Sequence, residues 1–426
     1  MTIQELYYLY IQSTGVATDT RKIADGSLFF ALKGDNFNGN LFAKDAIKSG
    51  ASAAIVDEEE FSDPENRIFY LENALLSLQS LARYHRSQLT IPVIGLTGSN
   101  GKTTTKELIA SVLKEKFTVL YTQGNLNNHI GVPLTILSIK PEHEIAIIEM
   151  GANHLKEIEL LTEISQPDIG YITNFGKAHL EGFGGEEGVI KGKSELYDFL
   201  RKSNRIALIN TDDPKQTELA SDIKKISFGT GGNYHFSLLE NPDHRISIEY
   251  NGMVINSLLT GNYNFSNICA AASLGLYYGL TPEQVKQGIE NYLPQNQRSQ
   301  IVEKNGIVLV LDTYNANPTS MEASLKNFSS FEGSKTIIIG DMFELGKDSA
   351  QEHQKIAELA EISGFDSIYL LGENFFSTVT HASNIQKFHS TKEMEHYLKD
   401  HKISTKNILL KGSRGMALEK LIDYLT

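Results

Sequence analysis

The sequence has 426 residues, 41% of them hydrophobic and 21% charged, which is enough chain for two or three domains with separate cores. A formal net charge of -13 without a basic run argues against a nucleic-acid binder and leaves small molecules as the expected partners, with room for a local anion pocket. The single cysteine, Cys269, forms neither an intrachain disulfide nor a thiolate zinc site and reads as a buried structural thiol.

At the N-terminus, Met1 to Tyr10 carries no basic stretch followed by an apolar core, and nowhere do eighteen apolar residues run together, so a soluble cytoplasmic protein is expected. Residues 28–32 read as a short apolar strand, 33–40 as a polar Gly-rich loop, then a helix through Ile47 and a strand over 51–56, a small α/β unit ending near Tyr84. A second unit opens with a buried strand over 91–96, a Gly-rich turn, and a helix placing Leu108, Ile109, Val112 and Leu113 on one face. Strands over 145–148, 169–173 and 206–209 follow, with a helix over 188–200. After Leu293-Pro294 a third alternation carries strands over 307–311, 336–339, 367–371 and 408–410, with the boundary near Gln297. The expectation is an α/β protein of three domains, 1–84, 85–297 and 298–426: a central P-loop-type parallel sheet between a small N-terminal α/β domain and a C-terminal Rossmann-like one. In such sheets ligands gather where strands end, so chemistry is sought there.

The strongest local signal is Thr97-Gly98-Ser99-Asn100-Gly101-Lys102-Thr103-Thr104 between a strand and a helix, where backbone N–H groups and the helix N-terminus cradle phosphates. Its glycines stand closer together than in Gly-x-x-x-x-Gly-Lys, but the strand, loop, Lys-Thr pair and helix coincide; Lys102 would reach the β/γ oxygens and Thr103 a Mg²⁺ ion. Glu149 ends an apolar strand, where it suits a hard cation or simply water. His179 past the next strand, and Lys191 and Lys193 on a helix, read by themselves as polar surface. Asp312 opens the polar loop Thr313-Tyr314-Asn315-Ala316-Asn317-Pro318, suited to a polar substrate or a ribose, or to an Asx turn before a helix. Asp341 repeats the strand-then-acid pattern, and Lys411-Gly412-Ser413-Arg414-Gly415 sets two cations in a strand-end loop that would bind a carboxylate or stand in solvent.

Thr97 to Thr104, Asn125-Leu126-Asn127-Asn128, Glu149-Met150-Gly151-Ala152, Asn174 to Gly182, Lys193-Ser194-Glu195 and Asp312 to Asn317, in this order, resemble the Mur ligase family over essentially the whole chain. The resemblance implies an ATP-dependent amide ligase of peptidoglycan synthesis, and so of cell shape and division. ATP would phosphorylate the terminal carboxylate of a UDP-N-acetylmuramoyl-tripeptide, and the amine of D-alanyl-D-alanine would attack the acyl phosphate. This acceptor is suggested by the third-unit segments from Asp312 and from Gly340-Asp341-Met342-Phe343-Glu344-Leu345-Gly346.

By the same resemblance, two Mg²⁺ ions would be held by Thr103, Glu149, His179 and Lys193, the last carbamylated by CO₂, with Lys102 acting beside them. ATP would also touch Asn264, Asn267, Arg298 and Asp312, the last two implying closure of the third unit. Substrate contacts are expected from Thr18, Asp19, Thr20, Arg21, Lys33 and Gly34 for the uridine nucleotide, and from Asn125, Asn127 and Asn128. In the third unit they are Tyr314, Asn315, Asn317, Asp341, Glu344, Lys411, Ser413 and Arg414. One departure is His129, where some relatives carry an acid. A monomer is expected. The rival readings are another Mur-like or folylpolyglutamate-type ligase, or a nucleotide-binding scaffold without catalysis.

Overall fold

The computed structural model describes residues 1–239, 244–294 and 297–425. Three α/β units follow one another. In the first, Val16–Ala17, Leu28–Phe30, Ala53–Val56 and Ile68–Tyr70 pair in parallel in that order. The expected loop over 33–40 contains a small hairpin, Lys33–Gly34 against Phe37–Asn38, beyond which the Gly39 N–H donates to the Leu32 carbonyl (2.9 Å) at an approach too close for a Cβ.

In the central unit six parallel strands run in the order Lys224–Phe228, Ile206–Asn210, Ile169–Ile172, Val93–Thr97, Ile145–Glu149, Val119–Tyr121. Val93–Thr97 and Ile145–Glu149 are buried at every position, as strands covered on both faces must be. Helix Lys102–Leu113 leaves toward one edge of the sheet, whereas the connections after Ile169–Ile172 lead toward the other. A crevice therefore opens between the ends of Val93–Thr97 and Ile169–Ile172, the place where open α/β sheets bind ligands.

Two features were not expected from the sequence. An antiparallel sheet of Ser237–Leu239, Arg245–Tyr250 and Met253–Thr260 is appended to the central unit, and strand Gln300–Lys304 pairs antiparallel with Ile307–Asp312. Both hairpins turn at Asn-Gly, Asn251-Gly252 with φ of 52° and 81° and Asn305-Gly306 with φ of 53° and 80°, the pair of left-handed residues that a tight hairpin turn requires. Beyond Ile307–Asp312 the third sheet continues in parallel through Asn407–Lys411, Lys335–Gly340, Ser367–Leu371 and Ile385–Phe388.

Helix Ala74–Gln88 passes from the first unit onto the second, running through the expected boundary near Tyr84. Its N-cap Asn73 accepts from the Leu76 N–H, and Leu78, Leu81 and Ala82 enter a core shared with Val93, Ala146 and Ile148. Near its end Arg86 is buried, donating to the carbonyls of Ser165 (3.0 Å) and Gln166 (3.0 Å) and to Asp168 Oδ2 (2.8 Å). The same carboxylate accepts from the Val93 N–H (2.9 Å) and pairs with Arg205 (2.6 Å), so the helix is fastened to the first residue of the central strand. Arg86→Met will destabilise the protein by about 2–3 kcal/mol in denaturant titration, less than the full cost of breaking a buried pair because Arg205 stays on Asp168. Arg86→Lys, lacking the planar fork, will recover only part of that loss.

Candidate active site

Strand Val93–Thr97 delivers the chain to Gly98, whose φ of 137° favours glycine and whose Cβ, were there one, would stand 2.0 Å from Thr173 Oγ1. The loop is then stitched to the end of the neighbouring strand. Ser99 N donates to Asn174 O (3.0 Å), Asn100 N to Asn174 Oδ1 (3.1 Å), and Asn174 Nδ2 to Asn100 O (3.0 Å). Gly101, at φ 79°, turns into helix Lys102–Leu113, leaving the first-turn N–H groups and the positive end of the helix dipole facing a cavity of about 550 Å³.

Lys102 folds back on the loop, its ammonium donating to Gly98 O (2.7 Å) and Ser99 O (3.3 Å). Burial depresses its pKa to about 8, with Glu149 opposing and Arg298 adding to the fall. Two more buried donors, Asn100 Nδ2 and Arg298 Nε, belong to residues lining the same space and have no acceptor among the described residues. Buried donors left open cost free energy, so these two, with the Lys102 ammonium beside them, suit an anion with several oxygens.

The Thr103 hydroxyl donates to Glu149 Oε1 (3.3 Å), which also accepts from Asn127 Nδ2 (2.8 Å), while Glu149 Oε2 accepts no hydrogen bond among the described residues. A hydroxyl and a partly unsatisfied carboxylate side by side form the oxygen set that Mg²⁺ takes, completed by phosphate and water oxygens. No three His, Cys, Asp or Glu side chains converge here or elsewhere among the described residues. His179 lines the same cavity at φ 53°, but its Nδ1 is paired with Glu344 of the third unit, which holds that carboxyl below its usual range. Lys193 lies outside the cavity lining, fully buried, donating to Ala152 O (3.0 Å). Desolvation, and then the charge of Lys102, pushes its pKa well below that of a free lysine.

The third unit closes the other wall. Asn317 caps helix Pro318–Ser329 and donates from Nδ2 to Asn100 Oδ1 (2.7 Å), and the Lys177 N–H donates to Thr319 Oγ1 (2.9 Å). Arg298 stacks on Tyr314 at 3.8 Å, and Asp312 pairs with Lys411, its register neighbour on the adjacent strand. Lys411 is therefore a buried partner of Asp312, not a solvated loop cation. Asn264 and Asn267 reach the cavity with amides already engaged, Asn267 Nδ2 on Asn264 Oδ1 (2.8 Å) and Thr105 Oγ1 on Asn267 Oδ1 (3.0 Å). Asn125, Asn128 and Asn315 complete the lining from the sequence-expected set.

Other expected residues stand apart from this cavity. Asp341 takes the N–H groups of Asn374 (3.0 Å) and Phe375 (2.9 Å) and the Asn374 amide (2.9 Å), capping a short helix. Ser413 Oγ accepts from Phe343 N, and exposed Arg414 reaches Gln297 and Glu419. In the first unit Arg21 grips Asp19 through Nε (2.9 Å) and Nη2 (2.8 Å), drawing the Asp19 pKa down to about 2, while Lys33 pairs with Asp57 (3.1 Å) beside Gly34, and Thr18 and Thr20 flank the turn. Glu157, Tyr263, Ser299 and Thr319 line the cavity unforeseen; they come from loops and helix starts that carry no recognisable motif.

Residues 12–84, 96–275 and 297–414 match the models described as Mur ligase family, catalytic domain; Mur ligase middle domain; and Mur ligase, glutamate ligase domain. The chain is 33% identical over 423 residues to the UDP-N-acetylmuramoyl-tripeptide--D-alanyl-D-alanine ligase of Bacillus subtilis (strain 168), covering 96% of this chain and 93% of that one. With the enzyme of the same description from Escherichia coli (strain K12) it shares 34% over 440 residues, 99% of this chain and 95% of the other. Among solved structures, MurF from Acinetobacter baumannii superposes with a TM-score of 0.89 at 32% identity over 100% of this chain and 98% of its own. The MurF ligase of Thermotoga maritima in complex with ADP does so with a TM-score of 0.85 at 27% identity, over 97% of each chain.

Because the Gly98 Cα sits against Thr173, Gly98→Ala will force the loop off the sheet. Calorimetric titration with ADP and Mg²⁺ will register at least a tenfold loss of affinity with the circular dichroism unchanged.

Proposed function

This chain belongs to the Mur ligase family, and from that premise we infer that it joins D-alanyl-D-alanine to UDP-N-acetylmuramoyl-tripeptide with ATP, releasing ADP and phosphate. What carries the reading is one cavity that unites the phosphate loop, Glu149, and Arg298 and Asp312 of the third unit, in a chain matching ligases of that description nearly end to end. The domain roles follow as 1–84 for the uridine-linked precursor, 85–297 for ATP, and 298–426 for the dipeptide and the closing contacts to ATP.

Phosphoryl transfer asks for positioning and charge neutralisation, not a protein nucleophile. A carboxylate oxygen of the tripeptide attacks the γ-phosphorus, the bond to the β-bridging oxygen breaks, and ADP leaves. Lys102 gives up the Gly98 and Ser99 carbonyls for the β/γ oxygens; Asn100 Nδ2 and Arg298 Nε supply the open donors around them. Mg²⁺ would be held by Thr103 and Glu149, neutralising phosphate charge when bound. The dipeptide amine then attacks the acyl carbon, and phosphate departs as the tetrahedral intermediate collapses, with the amine proton lost to solvent.

Lys193 as an ammonium cannot bind a cation. Burial favours its neutral amine, the form that adds to CO₂ with loss of a proton, and the carbamate so formed would offer oxygens to a second Mg²⁺. His179 would join that ion on leaving Glu344. Substrates and cosubstrate are those of a cytoplasmic reaction, consistent with no helix of the described residues being long and apolar enough to cross a membrane. The chain would act as a monomer.

The test is phosphate release from ATP with Mg²⁺, UDP-N-acetylmuramoyl-tripeptide and D-alanyl-D-alanine, each omitted in turn, with the product weighed by mass spectrometry. Release needing every component, and a pentapeptide product, is the expected result; release with a single amino acid in place of the dipeptide moves the chain to a sister ligase. Lys193→Ala will abolish ligation, and short carboxylic acids will restore part of it; full activity in that variant contradicts the carbamate.

A further inference from the structure

Glu149 is held asymmetrically. While Oε1 has Asn127 and Thr103, Oε2 accepts no hydrogen bond among the described residues and has the ammonium of Lys106 3.6 Å away. Lys106 lies one turn after Thr103 on helix Lys102–Leu113, is 1% exposed, and is not among the residues lining the cavity. Its other anion is Glu107, at 3.8 Å, whose second oxygen accepts from Tyr292 (2.9 Å), and the Tyr121 ring lies 5.8 Å off. Burying an ammonium is expensive, and an apolar side chain would fill this position without that cost. Holding Glu149 is the return that the geometry offers for it.

Resting on the reading of Glu149 as the Mg²⁺ carboxylate, we propose that Lys106 is a positioning residue, which fixes Oε2 from behind so that Oε1 stays beside the Thr103 hydroxyl. A cation arriving from the cavity then meets two oxygens already set at one spot, and the buried carboxylate has a counter-charge before it arrives. Thr103 and Lys106 belong to one helical turn, so the helix that carries the phosphate loop also sets the carboxylate. Lys106 also adds positive charge near the cation, an effect of opposite sign; orientation outweighs it because the ammonium lies behind the carboxylate, whose negative charge stands between the two.

The experiment titrates Mn²⁺, visible by electron paramagnetic resonance, into the full-length protein with ADP. Lys106→Met will weaken Mn²⁺ binding about tenfold, as loss of a group that orients a metal ligand does, and Lys106→Arg will recover most of it. Lys106→Gln, uncharged, will shift binding the same way and serves as the reading if the Met variant folds poorly. A merely structural lysine would lower the melting temperature and leave the Mn²⁺ dissociation constant alone, and that result, or tighter Mn²⁺ binding, overturns the proposal. Glu149→Gln separates the two levels: unchanged Mn²⁺ binding there overturns the metal reading itself, whereas loss there with no change in folded Lys106 variants overturns only the role of Lys106.

Discussion

The contact between Gly98 and Thr173 is the constraint on which the rest of the site depends. Only a residue without a side chain lets the loop lie against the end of the adjacent strand, and only there can Asn174 hold the loop amides at both sides. That seating aims the helix at the cavity, sets Lys102 over its own loop carbonyls, and brings Thr103 to Glu149. Charge arrangement follows from backbone placement, and the backbone is placed by a missing methyl group.

Asn100 belongs to two assemblies. Its carbonyl accepts from Thr173 and Asn174, while its side-chain oxygen accepts from Asn317 across the junction with the third unit. Together with Lys177 on Thr319 and His179 on Glu344, the loop after Val93–Thr97 and the loop after Ile169–Ile172 form the surface on which the third unit rests. Binding at the loop and docking of the third unit therefore act on the same atoms. His179 and Glu344 both hold left-handed backbone where they meet, a cost of the kind found where function fixes geometry.

Much of this was legible in the sequence because it is written locally. Continuous apolar runs ending in polar residues marked the parallel strands, and a Gly-bearing turn before Lys102-Thr103 marked the turn from strand Val93–Thr97 into helix Lys102–Leu113. The appended antiparallel sheet and strand Gln300–Lys304 break the strand–helix alternation, and their only local mark is the Asn-Gly turn of each hairpin. Asp341 illustrates a different limit: a carboxylate at a strand end looks the same in sequence whether it meets a ligand or, as here, backbone N–H groups 33 and 34 residues further on. Lys106 was hidden for a similar reason. A lysine in the second turn of a helix reads as solvated until its neighbours in space are known.

Helix Ala74–Gln88, fastened by Arg86, carries the chain from the first unit into the central one through a core to which buried residues of all three units belong. If the uridine end of the precursor rests on the first unit and its carboxylate on the central one, the span between those two points is built into one continuous scaffold. The chain would then act as a gauge: a precursor one residue too short would leave its carboxylate short of the phosphate, and one too long would overshoot it, whatever its side chains. Selection of the peptide by length would thus reside in the helix that joins the two units.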